Sequence, residues 1–155
     1  MKTTDNENRI ERIVIAVTLV SPLQKFWQEA LQLVAQSRAE LHALLLDDAQ
    51  WLRAASLPFT REISRLSGLP AEFTITRARE LQDEATRRVQ AELQRLAAEE
   101  QHELSFEVLP ESDRQRIRDL ASGKPCVVIA AEELAEQPEF EEIRRLGCRV
   151  IIVRR

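Results

Sequence analysis

The sequence predicts an α/β domain: a parallel sheet of five strands with helices on both faces. Three observations carry this reading. Short apolar, largely β-branched runs recur, most plainly Arg12-Ile-Val-Ile-Ala-Val17 and Cys126-Val-Val-Ile-Ala-Ala131. They do not alternate with polar residues, as strands buried on both faces should not. Between the runs lie segments whose apolar residues recur every three or four positions, the mark of helices with one buried stripe. Strand and helix patterns also alternate along the chain, which implies parallel strands joined by right-handed crossovers. A length of 155 residues is enough for one such domain and one core.

Residues 1–9 are polar and expected to be disordered; residues 10–155 form the single expected domain. The first strand, 12–17, gives way to Ser21-Pro22, read as an N-cap followed by proline at the first helical position. The helix behind it carries Leu23, Phe26, Trp27, Ala30, Leu31 and Val34 on one stripe. Residues 41–46 are the second strand, closed by Asp47-Asp48, with short helices expected at about 49–56 and 59–67. Thr76 is read as the cap of a long helix over 77–101, with Leu81, Ala85, Val89, Leu93 and Leu96 facing inward. The third strand is 104–109, followed by a helix holding Ile117, Leu120 and Ala121 and ended by Gly123 and Pro125. Residues 126–131 make the fourth strand. Pro138 opens a short helix with Phe140, Ile143 and Leu146 that Gly147 stops, and 148–153 make the fifth strand.

Composition narrows function by exclusion. Only three glycines occur, Gly68, Gly123 and Gly147, too far apart to build a glycine-rich phosphate loop. Two histidines and two cysteines, distant in sequence, supply no metal-ligand spacing, so no metal is expected. Neither His42 nor His102 has a nucleophile or acid at catalytic spacing, so no catalytic residue and no enzyme activity is expected. Arginines interleave with glutamates, as in Arg77-Ala78-Arg79-Glu80, which is the pattern of a solvated helix face laced with ion pairs. No basic stripe interleaved with aromatics appears, so no nucleic-acid partner is expected. The apolar run 13–20 is too short to span a membrane and lacks the flanks of a secretory signal, which points to a cytoplasmic protein without a membrane partner.

The ordered set of motifs resembles the universal stress protein family along nearly the whole chain. Arg12–Val17 with Ser21-Pro22 is similar to the family's first βα unit, and Leu41-His-Ala-Leu-Leu-Leu46 to its second strand. A long helix precedes the third strand, Glu107-Val-Leu-Pro-Glu-Ser-Asp-Arg-Gln-Arg-Ile117 is similar to that strand and its turn, and 126–131 and 148–153 are similar to strands four and five. Leu57-Pro-Phe-Thr-Arg-Glu-Ile63 is similar to an uncharacterised bacterial branch of such domains. The resemblance implies the strand order 3-2-1-4-5 and three layers. In many members it also implies an adenine-nucleotide site with an aspartate ending strand one and a G-x2-G-x9-G-[ST] loop after strand four. This chain departs at both places: Thr18 stands where the acid belongs, and Glu132-Glu133 follow strand four, with no glycine before Gly147.

The crevice is therefore expected to be vestigial, bordered by Val17, Thr18, Asp47, Ala130 and Ala131, with no cofactor and no appreciable ATP binding. Asp47-Asp48 is read as a helix-capping pair and, second, as a ribose or cation contact. Cys126 and Cys148 open strands that should be neighbours; they are read as small buried hydrophobes, with a redox pair as the other reading. The expected function is a stress-related regulatory or protein-interaction module with a degenerate nucleotide site; the alternative is an adenine-nucleotide binder or slow ATPase. A homodimer through strand five is expected, with Val150, Ile151, Ile152 and Val153 at the interface, because that strand is an unprotected edge in the family's order and many members dimerise there.

Overall fold

The computed structural model describes residues 10–19, 21–47, 71–110, 115–122, 124–135 and 137–154. Residues 1–9, the short helices expected at 49–56 and 59–67, Asp48, Trp51, Phe59 and Gly123 lie outside the described residues. In chain order the elements are β1 (Arg12–Val17), α1 (Leu23–Gln36), β2 (Glu40–Asp47), α2 (Ala71–Glu99), β3 (Leu104–Pro110), α3 (Gln115–Ala121), β4 (Cys126–Ala131), a 3-10 turn (Glu132–Leu134), α4 (Pro138–Arg145) and β5 (Arg149–Val153). The strands form one all-parallel sheet in the order β3-β2-β1-β4-β5. Helices cover both faces in a three-layer α/β arrangement, with α1 against α2 and α3 against α4.

The absence of alternation in β1 and β4 has its physical counterpart in the middle of the sheet. Ile15 sits between Ala43 of β2 and Ile129 of β4, and every residue from Ile13 to Val17 and from Cys126 to Ala131 is buried. β3 is an edge of the described sheet, and its partial alternation gives a mixed pattern in which Leu104 and Leu109 are buried and Val108 is exposed. Each fully buried aliphatic or aromatic side chain of this core contributes about 1.5–3 kcal/mol over leaving it in water.

The helix ends show where local reading succeeds and where it does not. Gly147, at φ 90°, takes the left-handed position behind α4. Cys148 N–H then bonds to Ile143 O and Gly147 N–H to Arg144 O, the paired bonds of a Schellman motif. The same motif ends α2 with a non-glycine, Gln101 at φ 60°, where His102 N–H bonds to Ala97 O and Gln101 N–H to Ala98 O. α2 consequently stops at Glu99 rather than running to 101.

Two expected caps are corrected. Ser21 does not cap α1: the N-cap is Pro22, and the Ser21 hydroxyl turns back to Thr18 instead. Thr76 does not cap α2, which starts five residues earlier, at Ala71. A single threonine costs an exposed helix position only a fraction of a kcal/mol, so the helix runs through it. The buried stripe of α1 also includes Leu33. Among the described side chains of α2 the buried positions are Ala78, Gln82, Val89, Leu93, Leu96 and Ala97, while Leu81 and Ala85 are only partly covered.

The solvated face of α2 carries the expected pairs: Arg88 donates to Glu84 at 2.7 Å, Arg77 to Glu80 at 3.2 Å, and Arg95 reaches both Glu92 and Glu99. Elsewhere, Arg116 on α3 grips Glu107 of β3 through Nε and Nη2, and Arg118 bonds Glu142 of α4 at 2.7 Å. Among the described residues no helix is long and apolar enough to cross a membrane.

Candidate functional site

In an open parallel sheet, ligands bind beyond the carboxyl ends of the strands where the strand order reverses. Here that point lies between β1 and β4. Val17 ends β1 and is fully buried; Ala130 and Ala131 end β4 and are buried as well. The first side chain past β1 that can hold a polar contact is that of Thr18.

Thr18 does not open onto an empty crevice. Its backbone N–H donates to Ser21 Oγ at 2.9 Å, and Ser21 N–H closes a turn back to Thr18 O at 3.3 Å. Thr18 Oγ1 lies 3.1 Å from Ser21 Oγ and donates to Glu133 Oε1 at 3.0 Å. A hydroxyl carries one proton. With that proton committed to Glu133, the Ser21 hydroxyl is the donor to Thr18, giving a chain from Ser21 through Thr18 to the carboxylate. Thr18 is thus tied across the switch point to the loop after strand four.

That loop has no glycine among its residues 132–135. It leaves β4 directly into the 3-10 turn, with Leu134 buried beneath it as an anchor. Two of its amides bond inside it: Ala135 N–H to Glu132 O, and Gln137 N–H to Leu134 O. A phosphate site needs several such N–H groups turned outward together. Instead, the turn brings the Glu132 and Glu133 side chains to this edge, and like charge repels a phosphate.

Of the residues expected at the crevice, the structure places Val17, Thr18, Ala130 and Ala131 around the switch point and adds Ser21 and Glu133. Asp47 is the last residue of β2, two positions past the Val17–Leu45 pair and in register with Pro110 of β3. Glu133 was legible as an obstacle to phosphate, but its bond to Thr18 was not, since 115 residues separate them. Of the expected interface residues, Ile152 is 41% exposed, Val150 and Ile151 are half-buried against the core, and Val153 is buried within the protomer.

The opposite, amino edge of the sheet carries a second polar feature. A cavity of about 850 Å³ is lined by Arg38, Glu40, His42, Gln94, His102 and Glu103, among others. The two histidines, far apart in sequence, meet at this cavity but have separate local partners. His42 Nε2 lies 3.4 Å from Glu40 Oε2, and His102 makes an edge contact with Trp27 at 6.3 Å between ring centres. Among the described residues no group of three or more His, Cys, Asp or Glu side chains could hold a metal ion.

Glu40 is the charge hub of this edge. The parallel register sets it beside Arg12, Lys124 Nζ donates to it at 2.9 Å, and Arg12 Nε lies at 3.6 Å. The hydrogen bonds from Lys124 and His42, with the Lys124 charge, hold its carboxyl at about 2 against an ordinary 4.5. Glu107 is also held below the usual carboxylate range, by its hydrogen bonds from Arg116. A carboxylate whose folded pKa is depressed stabilises the fold above its unfolded pKa, and that contribution disappears as pH falls through the folded value. Glu40 therefore makes stability fall with acidification from about 4.5 toward 2. Urea unfolding at a series of acidic pH values checks this: Glu40→Gln should be less pH-dependent than the parent over that window, and an unchanged slope contradicts it.

Comparison with known proteins adds no name to this geometry: no family model, no curated protein and no solved structure matches the chain.

Proposed function

We propose that this chain is a non-catalytic regulatory or protein-interaction module of the universal stress protein type, working as a homodimer through β5, with a nucleotide crevice closed by its own side chains. The hydrogen bond from Thr18 to Glu133 carries this reading. It joins the two positions at which a nucleotide-binding member would supply an acid and a phosphate loop, and it occupies them with protein. The strand order β3-β2-β1-β4-β5 and the long helix ahead of β3 support the family reading, while the short β4–β5 connection departs from its pattern and leaves no room for a phosphate loop as well as a full helix. A module of this kind communicates through its surface, and its binding partner is another polypeptide, beginning with a second copy of itself.

Calorimetric titration with Mg-ATP tests the closed crevice. The expected result is no binding tighter than roughly 10 μM, about −7 kcal/mol. A tighter dissociation constant would show that phosphates enter by a route other than a glycine loop and would replace this reading with that of a nucleotide binder.

A further inference from the structure

The amino ends of β4 and β5 bring together the chain's two cysteines. Cys126 is the first residue of β4, and Cys148 stands immediately ahead of β5. The register pairs Val127 with Arg149, so Cys126 and Cys148 occupy the next rung outward. Neighbouring parallel strands run about 4.8 Å apart, inside the roughly 4.4–6.8 Å between Cα atoms that a disulfide spans. Cys148 Sγ–H donates to Cys126 O at 3.2 Å, which puts its sulfur against the Cys126 residue itself. Both are unbridged and buried, at 8% and 9% exposure.

We propose that Cys126 and Cys148 form a reversible, peroxide-oxidised disulfide that staples β4 to β5. The surroundings favour this pair over two inert thiols. Cys148 follows Gly147, beside which even an added Cβ would meet nothing within 4 Å, so the turn has room to adjust as the sulfurs close. The Cys148 backbone is held by its N–H bond to Ile143 O, leaving side-chain rotation as the main movement. Hydrogen bonding from Cys126, and from the backbone at Val128, favours ionisation of Cys148, while hydrogen bonding to Cys148 and burial push the Cys126 thiol up. Cys148, next to the open turn at Gly147, is taken as the attacking sulfur, with Cys126 as the resolving thiol.

The chemistry balances with hydrogen peroxide as the oxidant. The Cys148 thiolate attacks one peroxide oxygen, the O–O bond breaks, and the departing hydroxide takes up a proton to leave as water. This leaves a sulfenic acid on Cys148. Cys126 sulfur then attacks Cys148 sulfur, its own proton going to the displaced hydroxide, which leaves as a second water. Two thiols have given two electrons to one peroxide, and a dithiol reductant returns them by exchange.

The first test uses the intact protein. Trypsin does not cut at Lys124, because Pro125 follows, so Cys126 falls in the peptide 119–144 and Cys148 in 146–149. After exposure of the native protein to hydrogen peroxide, these two peptides should be recovered linked. Intact mass should fall by two hydrogens, thiols titrated in denaturant should drop from two to none, and dithiothreitol should reverse all three changes. Cys126→Ser removes the resolving thiol; oxidation should then stop at a sulfenic acid on Cys148 that dimedone traps. Two remaining thiols after treatment, a disulfide formed only between separate chains, or over-oxidised cysteines without the linked peptides would each overturn the proposal. None of these outcomes depends on whether ATP binds.

Discussion

In the proposed homodimer, replacing Ile151 with proline, or Ile152 with lysine, should give a folded monomer. β5 has β4 on one side and, among the described residues, no strand on the other, so in the proposed dimer its outer row of backbone N–H and C=O groups pairs with a second copy. Such an edge is a template for pairing unless charge, proline or a bulge blunts it. Arg149 at its start and Arg154 after its end are charged, but Val150 to Val153 are all apolar, and the Ile152 side chain is 41% exposed. A two-fold axis sets two copies of β5 antiparallel, which satisfies both rows and closes the assembly.

The two substitutions act differently. Proline removes one N–H and fixes the local backbone. Lysine leaves the backbone intact and places a charge where the two edges would meet. Light scattering with circular dichroism should give the mass of one chain and an unchanged spectrum for Ile152→Lys, against the mass of two chains for the parent at micromolar concentration. A monomeric parent, or a lysine variant that stays dimeric, would remove strand five from the interface.

Truncating Phe140 to alanine should lower stability by about 3–5 kcal/mol, the usual cost of emptying a large aromatic site in a core. Phe140 is fully buried and, with Phe26, leads the largest completely enclosed side chains. It lies in the first turn of α4, where Pro138 occupies a first-turn position and Phe140 N–H bonds to Gln137 O. Its ring is therefore held from a short helix whose other buried residue is Ile143. For a chain of this size the loss corresponds to a fall in Tm of roughly 6–20 °C. Thermal unfolding followed by circular dichroism measures it, and a loss under about 1 kcal/mol would mean that the site refills.

Elements whose identity rests on local periodicity were legible from the chain. The runs at 12–17 and 126–131 coincide with β1 and β4, because a strand with both faces covered has no polar side to display. Pro138 and Gly147 bound α4 as read, since each acts through its own backbone restriction or freedom. Ser21 and Thr76 misled for the complementary reason. A hydroxyl accepts whichever donor the fold presents; for Ser21 that donor was Thr18, while Thr76 simply stayed inside a longer helix.

The residues of the candidate site were identifiable one at a time, but their relations were not. That Thr18 follows strand one, and that Glu132-Glu133 follow strand four without a glycine, can be read without coordinates. That Thr18 and Glu133 bond to each other depends on β1 and β4 becoming neighbours through a crossover. The same long-range pairing sets Glu40 among Arg12, His42 and Lys124 and puts Cys148 against Cys126. Periodicity reports which face of an element avoids water. It carries no information on which distant element supplies the contact, because hydrophobic burial is non-directional and many partners could cover the same stripe. Sheet order and register made that choice, and with it the Thr18–Glu133 bond at one edge and the neighbouring thiols at the other.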